Sequence, residues 1–307
     1  MKNLVSAIRN IISNQQIFRL NVVVFVASFS FMTGLAQSYG SLHMVRWDDE
    51  ARDTIRINQI LHDAHTLNCT TPGQTVAAIG KMFVGTPYVA HTLEGETEAL
   101  TVSLDRLDCT TFVEMVMALA KTANENRLSW RDFLYNLEHI RYRGGELNGY
   151  ASRLHYICDW VLDNCYRDNI KDVTTNFPQV SYAVKSIDFM TSNKSRYAAL
   201  ADTTAYDRIR SVEEGFRNYR FPYIKASHLA NKKAKAVFRE GDILAFTTSI
   251  KNLDVTHMGI IVGGSDGEWH VMHASSTNGQ VEITTIALQT FLKRNPSMTG
   301  VRVLRLL

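Results

Sequence analysis

The period of the hydrophobic positions changes along the chain. Residues 48–66 and 72–83 carry apolar side chains at spacings of three and four, the period of a helix with one buried face. Thr71-Pro72 opens the second of these with a cap and a first-turn proline. The same period runs through 109–126, 129–141 (capped by Ser129), 152–168 and 204–218, which predicts four more helices. Residues 170–190 are mixed and lean towards strand. From GDILAF (241–246) onwards the runs are short and β-rich: HMGIIVGG (257–264), EWHVMHAS (268–275) and QVEITTI (280–286), each bounded by turn residues. A helix near 287–294 and a strand at 300–306 close the chain. Helices first and a strand meander later predict an α+β fold. With no internal repeat, low-complexity segment or Pro- or Ser-rich linker, a single domain is the simplest organisation.

The first stretch differs in kind. It carries Lys2, Arg9 and Arg19 without an acid, then an apolar run, then Gly34-Leu35-Ala36. That pattern is expected of a secretory signal peptide over 1–36, cut after Ala36, with one domain over 37–307. The run from Leu20 to Phe31 is shorter than the ~20 apolar residues a spanning helix needs, so no stable membrane anchor is expected after cleavage. The expected location is therefore periplasmic or secreted. The 307-residue chain has a formal net charge of +3, which those three basic residues account for, so the remainder is neutral. It offers no basic field for nucleic acid. Hydrophobic residues make up 45% of the chain, enough for a core without a disulfide framework. Of the four cysteines, Cys158 and Cys165 lie too far apart along one predicted helix to bridge and read as small core residues; Cys69 is left open.

The fourth, Cys109, stands apart. Asp108 before it is a good N-cap, which puts the thiol at the first helical position, with Phe112, Met115, Val116 and Leu119 marking the buried face. The partial positive charge of a helix start favours thiolate, the form that attacks carbonyls. A nucleophile needs a base. HMGIIVGG and EWHVMHAS are joined by GGSDGE, and a hairpin centred on Ser265 sets His257 directly opposite His273 on one face, with His270 on the other. Gly259 leaves room beside His257. His257 then draws the proton from Cys109, and His273 holds its imidazole in the useful tautomer. A zinc site is the chemical rival, but His270 and His273 point to opposite faces and no HExxH motif is present, so no metal is expected.

Taken in order, GTPYV, LDCTTF, GDILAF, THMGIIVGG and VMHASSTNGQVEI resemble the NlpC-type superfamily of papain-like cysteine peptidases and amidases, which act on bacterial cell wall. Two threonines stand where that superfamily usually has serine and glycine after Asp-Cys. The segments AHTLEGETEAL and GYASRLHYICDW are similar to its N-acetylmuramoyl-L-alanine amidase-like branch, once filed as a domain of unknown function. The resemblance implies a papain-like core with helical insertions between the cysteine and histidine motifs, and catalysis by Cys109, His257 and His273. It places Tyr88 at the active-site wall, and Asp108, Thr110 and Arg153 are expected around the substrate, Arg153 either as a grip for a stem-peptide carboxylate or as a salt-bridging or capping residue of the helix surface. The reaction implied is hydrolysis of the amide between N-acetylmuramic acid and L-alanine in soluble anhydromuropeptides, with no cofactor. Peptidoglycan fragments are the implied partner. The same triad also suits an endopeptidase cutting between γ-D-glutamate and the diamino acid. An acyl transferase and a non-catalytic wall-binding protein are the other readings. Glu94, Glu96 and Glu98, at alternate positions, read as a solvated face.

Overall fold

The computed structural model describes residues 45–307, of which 46–307 pack as one compact unit. The predicted signal segment lies outside the described residues. The strands are β1 (Val45–Trp47), β2 (Leu100–Val102), β3 (Ile170–Asp172), β4 (Ser181–Lys185), β5 (Tyr219–Lys225), β6 (Ile243–Thr248), β7 (Val255–Gly263), β8 (Trp269–Ser275), β9 (Gln280–Ile283) and β10 (Met298–Leu306). The principal helices are α1 (Glu50–Thr66), α2 (Pro72–Lys81), α3 (Cys109–Asn124), α4 (Trp130–Arg141), α5 (Ile157–Tyr166), α6 (Thr203–Gly215) and α7 (Leu288–Arg294). None of the described helices is long and apolar enough to cross a membrane.

An antiparallel sheet in the order β4-β5-β10-β6-β7-β8-β9 carries the second half of the fold, with β3 sharing an edge of β10. The helices expected early in the chain form where the caps are. Asp49, Thr71 and Ser129 each accept a backbone N–H of the first turn, at α1, α2 and α4 respectively. The α5 helix begins at Ile157, five residues later than the apolar spacing suggests. The cause is local: Tyr150–Ser152 is a single 3₁₀ turn, Arg153 bridges to Tyr142, and Leu154 N–H donates to the Arg141 carbonyl, so the backbone there is committed to α4. Strand β5, with Pro222 in its middle, has no counterpart in the sequence reading, because proline weakens the strand signal.

Two features of the core position the site. First, α3 is buried on all sides from Thr111 to Ala120, not on one face. It packs against α1, α2, α4, β7 and β8. Its one internal charge, Glu114, accepts from buried Arg141 at 2.6 Å, and Arg141 also donates to the Thr101 carbonyl at 2.7 Å. An unpaired buried carboxylate here would cost several kcal/mol, so Arg141 is what lets a fully enclosed helix carry an acid.

Second, the β7–β8 hairpin is not centred where its length suggested. Gly264 N–H donates to the Glu268 carbonyl, closing a three-residue loop whose last residue, Gly267, has φ +75°. Three-residue hairpin loops want glycine at that left-handed position, so the turn centres on Asp266. The ladder pairs Ile260 with Met272 and Val262 with His270. Continued outwards, it sets His273 opposite Gly259 and His257 opposite Ser275. The two histidines keep one face but meet diagonally, two residues out of direct opposition.

Gly259 makes this possible. A Cβ there would lie 2.7 Å from Val271 Cγ1, 3.1 Å from the Met272 carbonyl oxygen and 3.3 Å from His273 Cβ. We expect Gly259→Ala to lower the unfolding free energy by about 1–3 kcal/mol, measured by denaturant titration. Stability equal to that of the parent would show that the strands yield there at no cost.

Candidate active site

The thiol sits where sequence placed it. Asp108 caps α3: its Oδ1 accepts from Thr110 N–H at 3.0 Å and Thr111 N–H at 2.8 Å, while Thr111 Oγ1 closes the capping box on the Asp108 N–H at 2.8 Å. These two N–H groups are thereby occupied, and of the first three the Cys109 N–H alone remains to stabilise an oxyanion. Asp108 and Thr110 are thus part of the helix start and not a free substrate surface. Thr110 Oγ1 lies 4.0 Å from Sγ.

The helix start does not make a thiolate. Burial pushes the Cys109 thiol up from its ordinary 9.0 to about 11, and the Asp108 carboxylate adds to that. Hydrogen bonding from the Met258 backbone, from Thr110 and from the residue's own N–H pulls the other way and loses. Cys109 keeps partial solvent exposure as a residue, but dense packing around the sulfur sets the balance. Tyr88 is beside it: burial, then the charges of Cys109 and Asp108, hold its phenol above the usual range. The Tyr88 segment is pinned to the far edge of the sheet, with Tyr88 N–H donating to the Gly279 carbonyl at 2.8 Å.

The two histidines meet. His257 Nε2 lies 2.9 Å from His273 Nδ1 with the rings nearly perpendicular, at 88°. Phe291 of α7 covers the pair, 5.2 Å from the His273 ring and 6.4 Å from the His257 ring, and Phe246 flanks His257 at 5.5 Å. Burial, reinforced by the neighbouring His273, holds His257 down to about 3. Burial also lowers His273, against an upward pull from Glu282. His270 points to the opposite face, held by the Thr284 carbonyl at 2.6 Å and by Asp266 at 3.1 Å.

Glu282 is a site residue that sequence reasoning missed. It stands directly across from His273 in the β8–β9 ladder, its Oε1 3.6 Å from His273 Nε2. Asn278 Nδ2 holds both of its carboxylate oxygens at 2.8 Å. The signal was present in HASSTNGQVEI, whose turn pairs Ser275 with Gln280 and so sets His273 against Glu282. A cavity of about 540 Å³ opens over His257, His273, Glu282 and Phe291, walled by hydroxyl and amide side chains from 275–278, Thr284 and Thr285, with Arg294 at its edge. Cys109 and Tyr88 are not among its lining residues.

Thiol and imidazole come to adjacent backbone positions, since the Met258 backbone, which influences the thiol, follows His257. Among the described residues no hydrogen bond joins Cys109 Sγ to either ring. Arg153 is elsewhere. It is buried, donates to Glu94 at 2.8 Å, lies 3.1 Å from Glu98 and covers the Tyr150 ring. Its charge is already matched, which leaves it no free grip for a ligand carboxylate. Glu98 is correspondingly no solvated residue: its side chain is 4% exposed and also accepts from Tyr142. No cluster of metal-ligating side chains occurs among the described residues.

Burial therefore works against charge on both groups, favouring a neutral thiol beside a neutral imidazole. Alkylation of Cys109 by iodoacetamide, followed by peptide mass spectrometry, is expected to be slow at pH 7 and to rise only towards pH 11. Full reactivity at pH 6 would mean a preformed thiolate–imidazolium pair.

Residues 78–301 match the AmiA-like family, described as N-acetylmuramoyl-L-alanine amidase-like. No curated protein matches. Among solved structures, an N-acetylmuramoyl-L-alanine amidase from Bacteroides uniformis is 36% identical with a TM-score of 0.72, over 77% of this chain and 99% of its own. A Bacteroides fragilis protein described provisionally as a xylanase is also 36% identical, with a TM-score of 0.69, over 74% of this chain and 99% of its own. A Legionella pneumophila protein at 21% identity and a TM-score of 0.66, over 87% of this chain and 97% of its own, shares the fold. The chain is a member of the AmiA-like, N-acetylmuramoyl-L-alanine amidase-like family.

Proposed function

We propose that this protein is a cysteine-dependent N-acetylmuramoyl-L-alanine amidase acting on soluble muropeptides. The observation that carries the reading is the family match over 78–301, joined to a thiol at the first position of a buried helix next to an imidazole pair. With His257 Nε2 committed to His273, Nδ1 is the nitrogen left to serve as base. It is the ring nitrogen nearer the backbone, where the thiol meets Met258. Catalytic hydrogen bonds in free enzymes often tighten only with substrate bound, and the reading requires a small closing movement of this kind.

The Sγ proton passes to His257 Nδ1 as Sγ attacks the lactyl carbonyl carbon. The oxyanion is held by the Cys109 N–H. The C–N bond breaks, the imidazolium returns its proton to the L-alanine nitrogen, and water then hydrolyses the thioester. The polar walls over His257 and His273 suit a hydroxyl- and amide-rich ligand. Arg294, with no acidic partner among the described residues, takes the place of Arg153 as the cation available to a stem carboxylate. Export into the periplasm or medium belongs to the same reading and rests on the signal-like start of the chain.

The test is product analysis of an anhydro-disaccharide-tetrapeptide by mass spectrometry. The expected products are the free sugar and a tetrapeptide beginning with L-alanine, with a drop of at least about 10³-fold in Cys109→Ala. A sugar still bearing L-alanyl-γ-D-glutamate would establish endopeptidase action instead.

A further inference from the structure

The amidase reading leaves one polar atom of the imidazole pair unexplained. His273 Nε2 is buried and has no hydrogen-bond partner. The Glu282 carboxylate lies 3.6 Å from it, longer than a hydrogen bond, so its influence at this separation is electrostatic. Asn278 grips both carboxylate oxygens and keeps the group from turning away towards the cavity. A carboxylate only accepts, so it favours the tautomer of His273 that carries its proton on Nε2. His273 Nδ1 is then a bare acceptor. The 2.9 Å contact must be filled by a proton from His257 Nε2, which leaves His257 Nδ1 bare. The order of protons along the chain is thus decided at its far end.

We propose that Glu282 is a positioning residue: through His273 it fixes the tautomer of His257, presenting Nδ1 as the base. The inference rests on the amidase reading for its catalytic consequence, but the tautomer itself does not. Without the carboxylate, the charge that favours a proton on Nε2 is lost, and the pair can also reverse, with His273 donating to His257 Nε2. In the reversed form Nδ1 carries the proton and cannot accept one from the thiol.

The experiment uses the full protein, ¹⁵N-labelled at histidine, as parent, Glu282→Ala and Glu282→Gln. In the parent, ring ¹⁵N shifts are expected to show His257 protonated at Nε2 alone. In Glu282→Ala both tautomers of His257 are expected, with kcat on the muropeptide lowered at least about tenfold and KM within about twofold. Glu282→Gln keeps the shape and one acceptor oxygen without the charge, and is expected between the two; it also serves if the alanine variant does not fold. An unchanged His257 tautomer in the variants overturns the proposal. So does a rise in KM with kcat intact, which would mean that Glu282 binds substrate directly. If the parent itself proves inactive on muropeptide, the amidase reading fails, and the ¹⁵N shifts still decide the positioning role.

Discussion

Two imidazoles on neighbouring strands share a proton at 2.9 Å only if the strands hold them at the right offset, and in this chain one turn sets that offset. With Gly267 in the left-handed region, the loop between β7 and β8 has three residues, and the ladder runs Ile260 against Met272. Direct opposition would bring the Cβ atoms of two aromatic rings to about 5 Å. The diagonal relation gives the rings room to meet edge to face. It also puts a glycine across from His273, Glu282 on its other flank and Phe291 above it. A slip of one residue would turn His257 to the opposite face and dismantle the site.

The second constraint is dryness. Carrying the thiol from 9.0 to about 11 corresponds to roughly 3 kcal/mol against the thiolate. A helix start returns about 0.3–1 kcal/mol in an ordinary setting, so enclosure wins. The same enclosure lowers His257 to about 3, so burial favours the neutral form of both partners. In the proposed mechanism, a dry, neutral pair would have its proton transfer driven by the developing bond and not by a standing ion pair. It also strengthens the few donors that remain, such as the Cys109 N–H.

Much of this was legible in sequence. The caps Thr71, Asp108 and Ser129 were readable because short-range hydrogen bonds decide helix starts. Alternation put His257 and His273 on one face and His270 on the other, and parity survives an error of two in register. What failed was what depends on partners far along the chain. The turn centre needed the knowledge that Gly267, and not Ser265, takes the strained backbone position. For Arg153 a salt bridge and a substrate grip stayed open, because its partners Glu94 and Glu98 lie some sixty residues away in sequence. The burial of α3 on every side, which raises the thiol, comes from packing against five other elements. Glu282 was missed for want of the β8–β9 register.

The central claim is that Cys109 forms the covalent bond on the muramyl side of the amide. Rapid-quench mixing with an anhydromuropeptide, followed by intact-mass and peptide mapping, tests it most directly. The account predicts a transient thioester on Cys109 whose added mass is the sugar acyl group alone. A product burst with no adduct on Cys109, or an adduct that retains peptide, would contradict it.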